Sequence, residues 1–333
     1  MQIIYLLLAL GLLNQPSFEY SSLERNVYDV QSTEVDSSMY YTILPYKQQL
    51  DSQMNEVLCY ASLELRKGKP ESLLGNWTSD ACLYIAQEIK NICDELNIKW
   101  IFKSCYDKDC RSSKDSFHGI GKSEGLDILS MVRKKFKVPV VSDFSDPSWA
   151  KDTAEVCDLI QIPAYLCRQT TILKAAASTK KPIHLKKGQF MSPWNMKNSV
   201  KKIKEFGNDQ ILLTDRGTFF GYDMLVNDMR CFKIMSETKQ PVCFDATHSV
   251  QLPTSLGNLS GGQREFIPNL IRAAIGAGIN SLFIEVHDNP DEALSDPNTQ
   301  LKLSDLENTL IHAKKLHETV LDLNKNWDLS DVK

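Results

Sequence analysis

The sequence predicts an α/β protein built as a (β/α)8 barrel. Three observations carry this. Seven short apolar runs alternate with helical patterns from about residue 80 to residue 323. The runs are mostly continuous in hydrophobicity rather than alternating, as in parallel sheets covered on both faces. Seven such strands with an obscure first one suggest eight, the number that closes a barrel. A doubly wound sheet is the rival, but no GxGxxG or phosphate-loop motif follows any run.

In chain order, Ala81–Leu96 has helical apolar spacing with Asp80 placed to cap it, and Trp100–Lys103 follows as a strand. Gly125–Phe136 reads as a helix and Val138–Asp143 as a β-branched strand. A short helix over Trp149–Val156 leads to strand Leu159–Ala164, and helix Thr171–Thr179 to strand Pro182–Lys187. Helix Met196–Phe206 precedes strand Gln210–Arg216, and a helix within Leu225–Lys233 precedes strand Pro241–Ala246. Helix Glu265–Ala277, strand Ser281–Val286 and a long amphipathic helix Leu306–Leu323 close the cycle.

The barrel is expected over residues 55–325, after a hydrophobic leader and polar extension over residues 1–54 with a degenerate first strand and loop. Ile3–Leu13 is too short to span a bilayer and has the length of a signal-peptide core, but no basic residue precedes it; residues 1–22 could be a signal or targeting segment. Nine cysteines without regular spacing, including Cys93, Cys157, Cys167, Cys231 and Cys243 inside apolar patterns, point instead to a reducing, cytoplasmic setting. The triplets Asn76-Trp77-Thr78 and Asn258-Leu259-Ser260 matter for glycosylation only in a secreted chain. A net charge of −4 argues against a nucleic-acid protein, and the basic run 197–204 reads as a solvated helix face.

In a barrel, function gathers at the C-terminal ends of the strands. Those ends read Lys103, Asp143, Gln161, Lys186 with Lys187, Arg216, Asp245 with His248, and Glu285 with His287. Lys103, Lys108, Arg111, Lys186 and Arg216, with Arg168 nearby, would surround one mouth with positive charge suited to phosphate or carboxylate. His248, Glu285 and Asp296 form an N/O set that could hold a divalent metal or act in acid–base chemistry. Ser260-Gly261-Gly262 could form a phosphate-binding nest, and Gly217 and Gly221 could let backbone approach a ligand; either segment could equally be an ordinary tight turn.

Eight ordered segments carry a specific resemblance: Ile101-Phe102-Lys103-Ser104, Asp107-Lys108-x-x-Arg111-Ser112-Ser113, Gln161 to Thr170, Lys186-Lys187-Gly188-Gln189-Phe190, Arg216 to Tyr222, Asp245 to Pro253, Ser260-Gly261-Gly262, and Glu285-Val286-His287. Over roughly Asp80 to Leu310 the chain resembles the 3-deoxy-D-manno-octulosonate 8-phosphate synthases, or 2-dehydro-3-deoxyphosphooctonate aldolases, of the DAHP synthase-like superfamily. The resemblance implies a (β/α)8 barrel, usually a homotetramer. It further implies an enzyme that condenses phosphoenolpyruvate with arabinose 5-phosphate and releases phosphate, toward the Kdo sugar of lipopolysaccharide. It implies Lys186, His248 and Lys108 as catalytic residues, and Lys103, Arg111, Ser112, Gln161, Arg168, Arg216, Gln251 and Asn76 as substrate-binding ones, with Arg168 reaching a neighbouring subunit's site. His248, Glu285 and Asp296 match metal positions in the metal-dependent members.

Four departures stand out. The family's first-loop Gly-Pro-Cys/Asn segment has only Asn76 as a counterpart, with Cys59 far upstream, so metal independence is preferred slightly over a divalent ion. Lys-Ala-Asn-Arg is Lys108-Asp109-Cys110-Arg111, Asp-x-His-Glu is Asp143-Phe144-Ser145-Asp146, and an arginine is His118. They leave room for two alternatives: a related synthase with a changed aldose, or a catalytically impaired homologue kept for binding or assembly.

Overall fold

The computed structural model describes residues 58–63, 77–110, 114–222, 224–256 and 259–325. Eight parallel strands make up the wall: β1 (Leu58–Leu63), β2 (Trp100–Ser104), β3 (Val140–Asp143), β4 (Leu159–Ile162), β5 (Ile183–Lys186), β6 (Ile211–Asp215), β7 (Val242–Asp245) and β8 (Ser281–His287). Each pairs with the next, and β8 pairs with β1, so the sheet closes and leaves no edge in the wall. The helices that follow them are α1 (Trp77–Glu95), α2 (Lys122–Phe136), α3 (Ala150–Val156), α4 (Thr170–Ser178), α5 (Met196–Glu205), α6 (Arg230–Ser236), α7 (Ile267–Gly276) and α8 (Leu303–Lys325). The expected first strand is therefore present, with Ser62 in register with both Lys103 and Glu285.

Alternation along each strand divides two layers. Phe102, Ile160, Ile162, Ile183, Leu185, Ile211, Leu213, Val242, Phe244, Leu282 and Ile284 join the apolar cluster between sheet and helices. The intervening residues, among them Lys103, Gln161, Lys186, Asp245 and Glu285, therefore face the barrel axis. From β2 to β8 burial is continuous apart from the strand-end residues Ser104 and Asp143, because both faces are covered. The five apolar-patterned cysteines are all buried, and no disulfide forms among the described residues. Lys197, Lys201 and Lys204 lie exposed on α5, as a solvated face should.

Two expectations are corrected. The helix expected within Leu225–Lys233 begins only at Arg230; Leu225–Val226 instead pairs antiparallel with Thr218–Phe219. Gly217, at φ +86°, leads the chain from β6 into this ribbon, and Gly221, at φ +117°, lies in the reversal between its two strands. Ser260-Gly261-Gly262 is not a nest opening a helix but part of the strand Leu259–Gly262, paired with Gln251–Leu256. A Cβ on Gly262 would lie 2.4 Å from Thr299 Cγ2 and 2.8 Å from the Asn298 carbonyl oxygen, so the glycine serves the approach of that loop. Among the described residues no helix is long and apolar enough to cross a membrane.

Candidate active site

Because all eight strands run parallel, their charged C-terminal residues open at one end. Lys103, from β2, is 4% exposed, and its ammonium lies 3.3 Å from the Asp143 carboxylate at the end of β3. Burial opposes the charge, but Asp143, with smaller contributions from Cys105 and Glu285, holds the lysine pKa above its ordinary value. For Asp143 burial also works against ionisation; Lys103 outweighs it and keeps the carboxyl below the usual range. Lys108 acts electrostatically on both groups, which places it beside them at the rim.

Lys186, at the end of β5 and 5% exposed, donates to Asp245 Oδ2 at 2.6 Å and sits 3.8 Å from the centre of the Phe283 ring. Its pKa is lowered: burial leads, Asp245 resists, and the like charges of Lys103 and Arg216 add to the depression. Asp245 also receives the His248 backbone N–H at 2.9 Å and faces His248 Nδ1 at 2.8 Å. Its carboxyl is held well below the usual range: burial opposes, and His248 and Lys186 overcome it.

With Nδ1 committed to Asp245, His248 turns Nε2 to within 3.8 Å of Glu285 Oε2. Burial, with Lys186 and Arg216, outweighs Asp245 and lowers the imidazole pKa. One donor atom each from His248, Glu285 and Asp296 lies within 4.8 Å of the others. A carboxylate on the far nitrogen of a histidine is the support that metal-ligating imidazoles use, so this set fits a divalent cation. Ser62, not Cys59, is level with Glu285, which puts Cys59 three residues, about 10 Å, toward the opposite end of the barrel.

Arg216, just beyond β6, donates to Gln251 Oε1, and Gln251 Nε2 donates to Asp296 Oδ1. Among the described residues, Arg216 Nε is buried without a hydrogen-bond partner, as are Gln161 Oε1 and Gln189 Oε1. These are the polar atoms a bound substrate would satisfy. Arg168 is exposed beyond β4, and its carbonyl accepts from Lys202 Nζ at 3.1 Å. Asn76, Arg111 and Ser112 lie outside the described residues.

Lys103, Lys186, Arg216, Gln161, Gln251, His248, Glu285 and Asp296 are thus brought to one mouth. The altered Asp143-Phe144-Ser145-Asp146 segment has acquired local work: Ser145 donates to Asp107, and Asp146 caps the turn Pro147–Trp149. In the sequence Asp143 and Asp245 read as polar strand ends but not as the counter-charges of Lys103 and Lys186, and Gln189 reads only as part of the segment Lys186 to Phe190. A lysine and an aspartate both ending strands were the available signal; which pairs meet was not.

A closed (β/α)8 barrel with three buried cations and a histidine–carboxylate set at the C-terminal mouth defines an enzyme of anionic substrates. The family described as "DAHP synthetase I family" matches residues 78–322, and the chain belongs to it. The 2-dehydro-3-deoxyphosphooctonate aldolase of Protochlamydia amoebophila is 51% identical over 239 residues, covering 72% of this chain and 87% of that protein. The chain is also similar to proteins of the same name from Cyanothece sp. (50% identical over 249 residues, 74% of this chain and 91% of that protein) and Geobacter sp. (45% over 271 residues, 80% and 99%).

Proposed function

We propose that the chain condenses phosphoenolpyruvate with arabinose 5-phosphate, giving 3-deoxy-D-manno-octulosonate 8-phosphate and phosphate. The observation that carries this reading is the convergence of Lys103, Lys186 and Arg216 from three strands on one buried mouth. Three fixed cations suit a substrate carrying both phosphate and carboxylate, and they stabilise charge that builds during carbon–carbon bond formation. The relatives' shared name supports the same chemistry.

In this reading C3 of phosphoenolpyruvate attacks the pentose aldehyde, water adds at C2, and phosphate leaves. Lys103, Lys186 and Arg216 grip phosphoenolpyruvate. The lowered pKa of Lys186 makes its ammonium a stronger acid, able to give a proton to developing negative charge. Asp245 orients His248 to hold or move a proton at Nε2. Lys108, Arg111 and Ser112 serve the pentose phosphate, Gln161, Gln251 and Asn76 position the substrates, and Arg168 reaches a neighbouring copy in a homotetramer. The enzyme works in the cytoplasm.

His248, Glu285 and Asp296 would hold a divalent ion; when bound, it supplies a Lewis acid at that point. Asn76, as the counterpart of the asparagine in metal-independent members, favours turnover without one. Phosphate release measured with both substrates, with and without chelator, tests the proposal. No release with arabinose 5-phosphate, but release with another aldose phosphate, would establish the changed-substrate alternative that Asp109 and Cys110 motivate. No release with any aldose phosphate would refute the enzymatic reading.

A further inference from the structure

Both β5 and β6 end in charged doublets, Lys186-Lys187 and Asp215-Arg216. Alternation allows only one member of each to face the barrel axis. Lys186 and Arg216 do so; Lys187 and Asp215 stand on the outer face, beneath the loops. Lys187 is fully buried. Its Nζ lies 3.2 Å from Asp215 Oδ1, 2.9 Å from Thr218 Oγ1, 3.2 Å from the Gly217 carbonyl oxygen, and 3.3 Å from those of Gly188 and Met191. Those oxygens outnumber the three hydrogens of an ammonium, so its donor capacity is saturated.

Asp215 completes the cage. Its Oδ2 accepts the Gly217 N–H at 3.0 Å, and its Oδ1 accepts from Cys231 Sγ at 3.3 Å. Gly217, the residue after Arg216, is therefore held at its N–H by Asp215 and at its carbonyl by Lys187. On the other side, the carbonyls of Gly188 and Met191 tie down the loop that follows Lys186. Desolvating two ions is costly, and an apolar pair of similar volume would pack strands to helices at least as well. An ammonium does what an apolar residue cannot: it gathers carbonyls from two loops into one fixed arrangement.

The mouth needs such an arrangement. Lys103, Lys186 and Arg216 repel one another before substrate arrives, and the last two come from the strands these loops extend. We propose that Lys187 and Asp215 form a positioning brace that fixes the loops after β5 and β6, and so sets the spacing of Lys186 and Arg216 for phosphoenolpyruvate. This rests on the functional reading above and extends it to residues that touch no substrate.

The test uses the full-length Lys187→Met/Asp215→Asn double variant, which leaves no buried charge unpaired. The expected result is near-native thermal unfolding with KM for phosphoenolpyruvate raised about tenfold or more, and KM for arabinose 5-phosphate within about twofold of wild type. A folded double variant with unchanged kinetics would show the pair to be structural only, as would an equal rise in both constants. If the double variant does not fold, Thr218→Val removes one neutral ligand of Lys187. A rise of about threefold in the same constant is then expected, and no change overturns the brace. Calorimetric binding of phosphoenolpyruvate to wild type separates the two levels. Wild type that neither binds nor consumes it refutes the functional reading and the brace together, whereas active wild type beside an unaltered variant refutes the brace alone.

Discussion

Replacing Asp245 with asparagine keeps the shape of the side chain and removes the charge that faces Lys186 at 2.6 Å and His248 Nδ1 at 2.8 Å. Lys186 is then a buried ammonium whose near neighbours are Lys103 and Arg216. Breaking a buried pair by neutralising one member costs about 3–5 kcal/mol if the remaining charge persists. The lysine has an escape, because it can lose its proton instead. Its pKa is already lowered by burial and by like charges, with Asp245 the main resistance, so removing Asp245 moves it further down. At 1.36 kcal/mol per pH unit, an interaction of about 3 kcal/mol corresponds to about 2 pH units. If Lys186 acts as an ammonium, the alkaline limb of kcat/KM for phosphoenolpyruvate must move to lower pH by about that amount. Activity at neutral pH falls, and part of it returns on acidification. The assay is phosphate release from about pH 5 to pH 9, compared with wild type. An Asp245→Asn enzyme with reduced rate but an unmoved alkaline limb would refute the assignment of the acid to Lys186.

Other perturbations have equally definite outcomes. Lys186→Met should abolish phosphoenolpyruvate turnover while the barrel stays folded; turnover at the wild-type rate would remove Lys186 from the mechanism. Asp143, depressed by Lys103, contributes stability that is complete above the ordinary carboxylate range and lost as pH falls through its lower folded pKa. Asp143→Asn should therefore lower stability at neutral pH and flatten its decline below about pH 4, read by denaturant unfolding across pH. Gly119→Ala should destabilise by about 3 kcal/mol or more, since φ is +105° and a Cβ would lie 2.2 Å from the Tyr106 carbonyl oxygen. An unchanged unfolding midpoint would contradict the packing of Gly119 on Tyr106.

The strands from β2 to β8 were legible because each is buried on both faces, which leaves a continuous apolar run in the sequence. The first strand was not. Leu58–Leu63 contains Cys59, Ala61 and Ser62 and follows a polar stretch, so its place appears only through its pairing with β2 and β8. The ribbon around Leu225 is hidden for a related reason: Leu225 and Val226 lie four and three residues before Met229, a spacing that fits a helix, and the pairing partner that overrides this lies six residues before Leu225, at Phe219. The cations of the site are visible as strand ends, but their counter-ions are not, because Lys186 and Asp245 are 59 residues apart and meet only inside the barrel, from strands on either side of β6.

One part of that hidden pattern was nonetheless within reach of elementary geometry. When two adjacent residues at a strand end are both charged, the two-residue period forbids both from facing the same way. In Lys186-Lys187 and Asp215-Arg216, one member of each doublet must enter the wall, where a charge survives only beside an opposite one. The two that enter carry opposite signs and lie on neighbouring strands, in register through Lys186 and Thr214. The buried pair therefore follows from the doublets once the strand order is known. The mouth receives the two cations because the wall has taken the remaining cation together with the anion.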